Sequence, residues 1–228
     1  MRAIIISNGM IRHPEQDLTW LQPRDLLVAA DGGLQHCLAW GLRPDLLIGD
    51  LDSVADEDLS GLQSQGIEIQ RHPARKDETD LELALCEVQR RGAREVIILG
   101  GLGGRWDQSL ANSLLLANPD FRDLALRLVD GPQEIICIHA GQTAHIEGSP
   151  GDTLSLIPLA GNASGIHTQG LEYRLAGEAL EFATTRGVSN VLLEEQAQIR
   201  LQAGRLLCAI IHQTHGPNPT TEKGGTDQ

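Results

Sequence analysis

Residues 95–117 read EVIILGGLGGRWDQSLANSLLLA. The first seven form a β-branched apolar run that suits a strand buried on both faces. Four glycines crowd residues 100–104. From 107 to 117 the apolar residues fall at helical spacing. Strand, glycine loop and helix in that order predict backbone N–H groups free to approach an anion beside a helix N-terminus. The spacing is neither G-x-x-x-x-G-K-[ST] nor G-x-G-x-x-G, which excludes the standard P-loop and dinucleotide fingerprints. Arg105 adds a guanidinium fork suited to phosphate. Asp107 either caps the helix or orients Arg105. Trp106 is expected in the core.

The same rhythm fills the first 130 residues. Apolar runs recur at 3–7, 26–30, 46–50, 67–70 and 124–130, with amphipathic helices predicted over 32–41 and 78–92, each ending on glycine. Strand–helix alternation predicts an open, mostly parallel α/β sheet. After about residue 131 the pattern changes. Short segments at 134–140, 143–148, 152–159, 171–185, 197–204 and 205–212 often alternate and are separated by Gly or Asn. They predict an all-β, sandwich-like unit. The expected division is an α/β domain over 1–130, a β domain over 131–215 and a disordered tail over 216–228, which lacks an apolar anchor.

Composition narrows the partners. The 31 acids and 18 bases give a net charge of −13, which argues against nucleic acid. No run approaches the roughly 20 apolar residues that span a bilayer, so no membrane partner is expected. The start, MRAIIISNGM, reads as a first strand rather than a signal peptide, and the expected location is cytoplasmic. Cys37, Cys86, Cys137 and Cys208 form no C-x-x-C pair and read as small buried hydrophobes in a reducing compartment. Only Lys76 and Lys223 are lysines, so Lys76 stands out within the acidic stretch KDETDLE (76–82).

In an open α/β sheet, ligands bind beyond the carboxyl ends of the strands. The predicted strand exits carry Asn8–Gly9, Asp31–Gly32–Gly33, GDLDS (49–53) and the 100–105 loop. On an extended backbone Asp50 and Asp52 would point to one side. Two carboxylates held close repel unless a cation lies between them, and Mg²⁺ takes one or two carboxylates plus phosphates and waters. An Asp-rich turn in which Asp52 or Ser53 caps a following helix is the other reading. In KDETDLE, Lys76 suits a phosphate as a point charge. Thr79 with Glu82 has capping-box spacing. Asp80 in the first helical turn could serve the cap, a metal, or both, and Asp77 stays unexplained by the cap.

Taken in order, DGG, PDLLIGDLDS, KDETDLELAL, GGLGGRWDQSLAN and a later GVSN give a chain that resembles the thiamine pyrophosphokinases over residues 1–212. The resemblance implies transfer of the diphosphate of ATP to the hydroxyl of thiamine, with Mg²⁺, by a homodimer. It implies that Asp50, Asp52 and Asp80 hold Mg²⁺ and the phosphates, with Asp31 beside them. Lys76, Asp77 and Thr79 would line the phosphate site. Gly100, Gly101, Gly103 and Gly104 with Arg105 and Asp107 would form the other wall. Asn8, Gly9, Gly32 and Gly33 read as further ATP contacts. Ser189 and Asn190 of GVSN would meet thiamine across the dimer interface, or else form a tight turn before the next strand. The family often has GRFDH where this chain has GRWDQ, so Gln108 stands in place of the usual His. Tyr173 is the candidate to stack on thiamine. Two rivals stay open: a diphosphokinase for another hydroxymethyl compound such as a pterin, and a non-catalytic nucleotide or thiamine sensor.

Overall fold

The computed structural model describes residues 1–52 and 56–213. Ser53, one of the two expected helix caps, and the tail 216–228 lie outside the described residues. Six strands alternate with helices in the first part: β1 (Arg2–Ile6), α1 (Pro14–Asp17), β2 (Leu26–Ala30), α2 (Gly33–Ala39), β3 (Leu46–Gly49), α3 (Asp56–Ser64), β4 (Glu68–Arg71), α4 (Asp80–Arg90), β5 (Glu95–Leu99), α5 (Trp106–Leu115) and β6 (Ala125–Asp130). All six strands are parallel, in the order β4-β3-β2-β1-β5-β6. β1, β2, β3 and β5 are buried almost throughout, because helices cover both faces.

Eight strands follow: β7 (Gln133–His139), β8 (Thr143–Glu147), β9 (Thr153–Pro158), β10 (Ala163–Gln169), β11 (Ala176–Leu180), β12 (Asn190–Val191), β13 (Gln196–Arg200) and β14 (Arg205–Ile211). The Gly131–Pro132 turn sends β7 back antiparallel to β6, with Leu128 opposite Ile135. β14, β9 and β12 then extend the same sheet to ten strands. β8, β13, β10 and β11 form a separate antiparallel sheet. Leu154, Leu156, Leu206 and Cys208 of the large sheet close on Ile146, Ile166 and Ile199 of the small one in a single apolar core. The fold is therefore mixed α/β, with one large sheet and a second antiparallel sheet.

Some expectations fail locally. Trp106 is 76% exposed, because α5 turns Leu115 and Leu116 inward and leaves Trp106, Leu110 and Leu114 on its outer face. Cys86 is exposed on α4 and Cys137 is half-buried, so only Cys37 and Cys208 are buried hydrophobes. Within 171–185 only Ala176–Leu180 is a strand, and β10 occupies a stretch read as connection.

Candidate active site

Strand order changes direction between β1 and β5, and ligands of open α/β sheets sit at such a switch point. Here the carboxyl ends of β1, β2, β3 and β5 open into a cavity of about 540 Å³. Asn8 and Gly9 line it after β1, Asp31 after β2 and Asp50 after β3. Gly100, Gly101, Gly103, Gly104 and Arg105 form the wall after β5. Lys76, Thr79 and Asp80 close the side below α4.

Local chemistry fixes each wall. Gly9 N–H donates to the Gly100 carbonyl at 2.7 Å, which locks the two glycine loops together. The Thr79 hydroxyl accepts the Glu82 N–H at 3.2 Å, so Thr79 caps α4 as its spacing predicts while also facing the cavity. Lys76 Nζ lies 2.5 Å from Asp80 Oδ1, an i,i+4 pair that aims a cation and a carboxylate at the same space. Arg105 and Asp107 form a two-bond fork at 3.1 and 2.5 Å. That fork holds the Asp107 carboxyl below its usual range, and Asp107 pairs with Arg105 rather than capping α5.

Several expected site residues stand back from the cavity. Leu51 has φ +56°, so residues 50–52 curl instead of extending. Asp52 N–H donates to Asp50 Oδ1 at 3.2 Å, and Asp52 is exposed beside the opening rather than lining it. Asp77 is exposed, and Gly32 and Gly33 pack against Asn8 and the Ile6 carbonyl. Ser189 and Asn190 are placed far off, at the β12 edge of the large sheet, with β9, β14, β7, β6 and β5 between them and β1. Asn190 clamps Tyr173 there: its Oδ1 accepts the Tyr173 N–H at 3.0 Å and its Nδ2 donates to the Tyr173 carbonyl at 2.8 Å. Tyr173 itself is exposed.

Sequence reasoning missed Glu78 and Asn112, which also line the cavity. Asn112 is only 5% exposed, and its Nδ2 donates to the Gly101 carbonyl at 2.8 Å. Its Oδ1 is buried without a partner, next to the glycine wall. A polar residue inside the apolar run SLANSLLL was the available signal, since a buried amide demands partners.

Asp31 responds to the charges around it. Burial, then the charges of Asp80, Asp50 and Asp52, push the Asp31 carboxyl above its ordinary range against the opposing Gly32 N–H. Asp31 Oδ1 is buried and unpartnered. This all-oxygen donor set fits a hard divalent cation. Among the described residues, however, no three His, Cys, Asp or Glu side chains converge as a preformed cage. That suits an ion that completes its shell with phosphates and water rather than with protein alone.

The raised Asp31 carboxyl has a consequence for stability. The folded chain binds this proton more tightly than the unfolded chain. Its stabilisation is full below the ordinary aspartate pKa and is lost as pH rises through the raised value. In metal-free buffer, Asp31→Asn should therefore be more stable than the parent at neutral pH. The gap should close as pH falls to about 3. Urea unfolding across that range measures it, and a pH-independent gap would remove the repulsion argument.

Residues 18–128 match the thiamin pyrophosphokinase catalytic domain, and residues 140–206 match the thiamin pyrophosphokinase vitamin B1 binding domain. The chain belongs to the thiamin pyrophosphokinase family. Thiamine pyrophosphokinase of Bacillus subtilis is 26% identical over 208 residues, covering 91% of this chain and 97% of that one. A thiamin pyrophosphokinase family protein from Enterococcus faecalis superposes with a TM-score of 0.78 at 27% identity, over 94% of this chain and all of that one. The B. subtilis enzyme's crystal structure shares the fold with a TM-score of 0.81 over 94% of this chain and all of that one, at 22% identity. In this thiamin pyrophosphokinase family chain, the catalytic-domain match contains Asp31, Asp50, Asp80 and the glycine wall. The B1-binding match contains Tyr173, Ser189 and Asn190.

Proposed function

We propose that this protein transfers the diphosphate group of ATP to the hydroxyl of thiamine, giving thiamine diphosphate and AMP. The observation that carries the reading is the set of carboxylates Asp31, Asp50 and Asp80 lining a glycine-walled cavity at the switch point, with Asp52 beside its opening. The α/β half is assigned to the nucleotide and the β half to thiamine. Asp50, Asp80 and Asp31, with Asp52 at the rim, would hold Mg²⁺. When bound, the ion neutralises charge on the phosphates.

The chain's own residues have separate tasks. Backbone N–H groups of the 100–104 loop and the N-terminus of α5 face the anion. Arg105, paired with Asp107, and Lys76, held by Asp80, add positive charge from two sides. Attack on a phosphorus needs little covalent help from protein, so positioning and charge stabilisation carry the acceleration. One carboxylate of this set is assigned the thiamine hydroxyl proton.

The thiamine side requires a second chain. Ser189, Asn190 and Tyr173 lie across the whole sheet from the carboxylates within one molecule. On the face of β7, β9 and β14 opposite the shared core, Ile135, Cys137 and Leu207 pack at the edge of the α/β core, and Ile157 and Ile211 are exposed. Ser189 N–H donates to the Ser155 hydroxyl, also on that face. A homodimer that joins the β half of one chain to the α/β half of its partner would bring Ser189 to the partner's carboxylates. Sedimentation as a monomer at assay concentration would remove this arrangement. Among the described residues no helix is long and apolar enough to cross a membrane. The cytoplasm is the proposed location, where ATP is at hand and thiols stay reduced.

The deciding assay is AMP release from ATP and Mg²⁺ in the presence of thiamine or of a hydroxymethylpterin. Thiamine-dependent AMP with thiamine diphosphate is expected. AMP release only with the pterin would move the acceptor. Nucleotide binding without AMP release under either condition would leave a sensor.

A further inference from the structure

The rim opposite the candidate active site carries its own charged cavity. β7 ends there at His139, β14 begins there at Arg205, and Arg122 lies just ahead of β6. These three, with apolar Pro119, Leu159 and Ala160, line a cavity of about 350 Å³ that contains no acidic side chain. A larger neighbouring cavity shares Arg122 and His139 and adds Arg94. Its two carboxylates are Glu95, already held by Arg2 at 3.2 Å, and Asp123.

Some arginines in this protein pair with carboxylates, as Arg2 does with Asp25 and Arg91 with Glu87, and others, such as Arg24, Arg94 and Arg174, do not among the described residues. Arg122 and Arg205 have no carboxylate partner among the described residues. Both act on His139, which is 8% exposed. Burial first, then the charges of Arg205 and Arg122, hold its imidazole below the ordinary histidine range. In a chain of net charge −13, a pocket lined by two arginines and no carboxylate inverts the prevailing sign of charge. Field lines focus in such clefts.

We propose that the Arg122–His139–Arg205 pocket binds a phosphate group, free or at the end of a small phosphate ester. Two guanidinium forks match the geometry of a tetrahedral oxyanion. Their two charges offset a group that carries about −1.5 to −2 at neutral pH. The pocket lies at the amino ends of the parallel strands, so its ligand is separate from the nucleotide handled at their carboxyl ends. It stands apart from the proposed reaction and holds whether or not that reading does.

His139 is the reporter. Orthophosphate, AMP and, at matched ionic strength, chloride are titrated into the full-length protein without divalent metal. The histidine ring resonances are followed by NMR, and His139→Asn identifies the one that matters. Orthophosphate should move the His139 resonance saturably, with a Kd of about 1 mM or below. Arg122→Ala with Arg205→Ala should weaken that response at least roughly tenfold and leave AMP release without added phosphate unchanged. A response to AMP as well would show that an ester fits, and a response to orthophosphate alone would make the free ion the ligand. A resonance that stays still, follows chloride equally, or still responds in the double variant would overturn the site.

Discussion

Asp80→Asn is expected to lower turnover at least roughly 100-fold while changing stability by no more than about 1 kcal/mol. Asp80 opens α4 and faces Lys76 across 2.5 Å. Losing that ion pair costs about 0–1 kcal/mol, as for other partly exposed pairs. Losing a charge at a helix N-terminus costs about 0.3–1 kcal/mol more. Against these stands relief of repulsion, because Asp80 is the largest charge acting on Asp31. The stability terms oppose one another, whereas the catalytic terms do not. The variant lacks one carboxylate oxygen charge for a cation, and Lys76 loses the group that aims it into the cavity. The loss should fall on kcat more than on KM, since the missing charge is needed most where charge develops. Steady-state kinetics beside a thermal melt measures both. Turnover within tenfold of the parent in a folded variant would take Asp80 out of the machinery.

How far the sequence disclosed this arrangement depends on what each pattern encodes. β1, β2, β3 and β5 were legible because burial on both faces leaves continuous apolar runs. α4 was legible through its Thr79 cap. β10 was not, because ASGIHTQ alternates weakly and contains Gly165, at φ +64°. The joining of β6 to β7 was also hidden. Periodicity reports which side chains are buried and says nothing about which strand lies alongside, so a change of rhythm near residue 131 looked like a break where the sheet continues. Trp106 failed for a similar reason. α5 has apolar residues on more than one stripe, and spacing cannot tell which stripe turns inward.

The site was legible where it sits on strand exits and less so elsewhere. Asp31, Asp50 and the glycines follow apolar runs directly, so the switch-point rule places them. The curl at Leu51 carried no sequence mark, since a left-handed leucine is not a residue preference. Ser189 and Asn190 follow from the resemblance alone, and one chain does not bring them to the carboxylates.

Gly9→Ala should damage both activity and stability, and it tests the closeness of the two glycine loops. A Cβ at Gly9 would lie 2.2 Å from the Gly100 carbonyl oxygen and 2.7 Å from that of Leu102. Both obstacles are backbone, so no side chain can rotate away to make room. The loops must part instead, which breaks the Gly9 N–H bond to Gly100 and disturbs the 2.9 Å contact between His36 Nε2 and the Gly9 carbonyl. Overpacking of this kind costs about 1–3 kcal/mol. For a chain of this size, that lowers the melting temperature by about 2–4 °C per kcal/mol. Activity should fall further than stability, at least roughly 100-fold, because both displaced loops line the cavity and small misplacements are costly. Gly61→Ala is the matched control: nothing lies within 4 Å of its Cβ, and it sits inside α3. Alanine there should hold activity and raise stability by up to about 1 kcal/mol. If Gly9→Ala instead behaved like Gly61→Ala, β1 and β5 could not end in touching loops, and the cavity between them would lose its anion-facing wall.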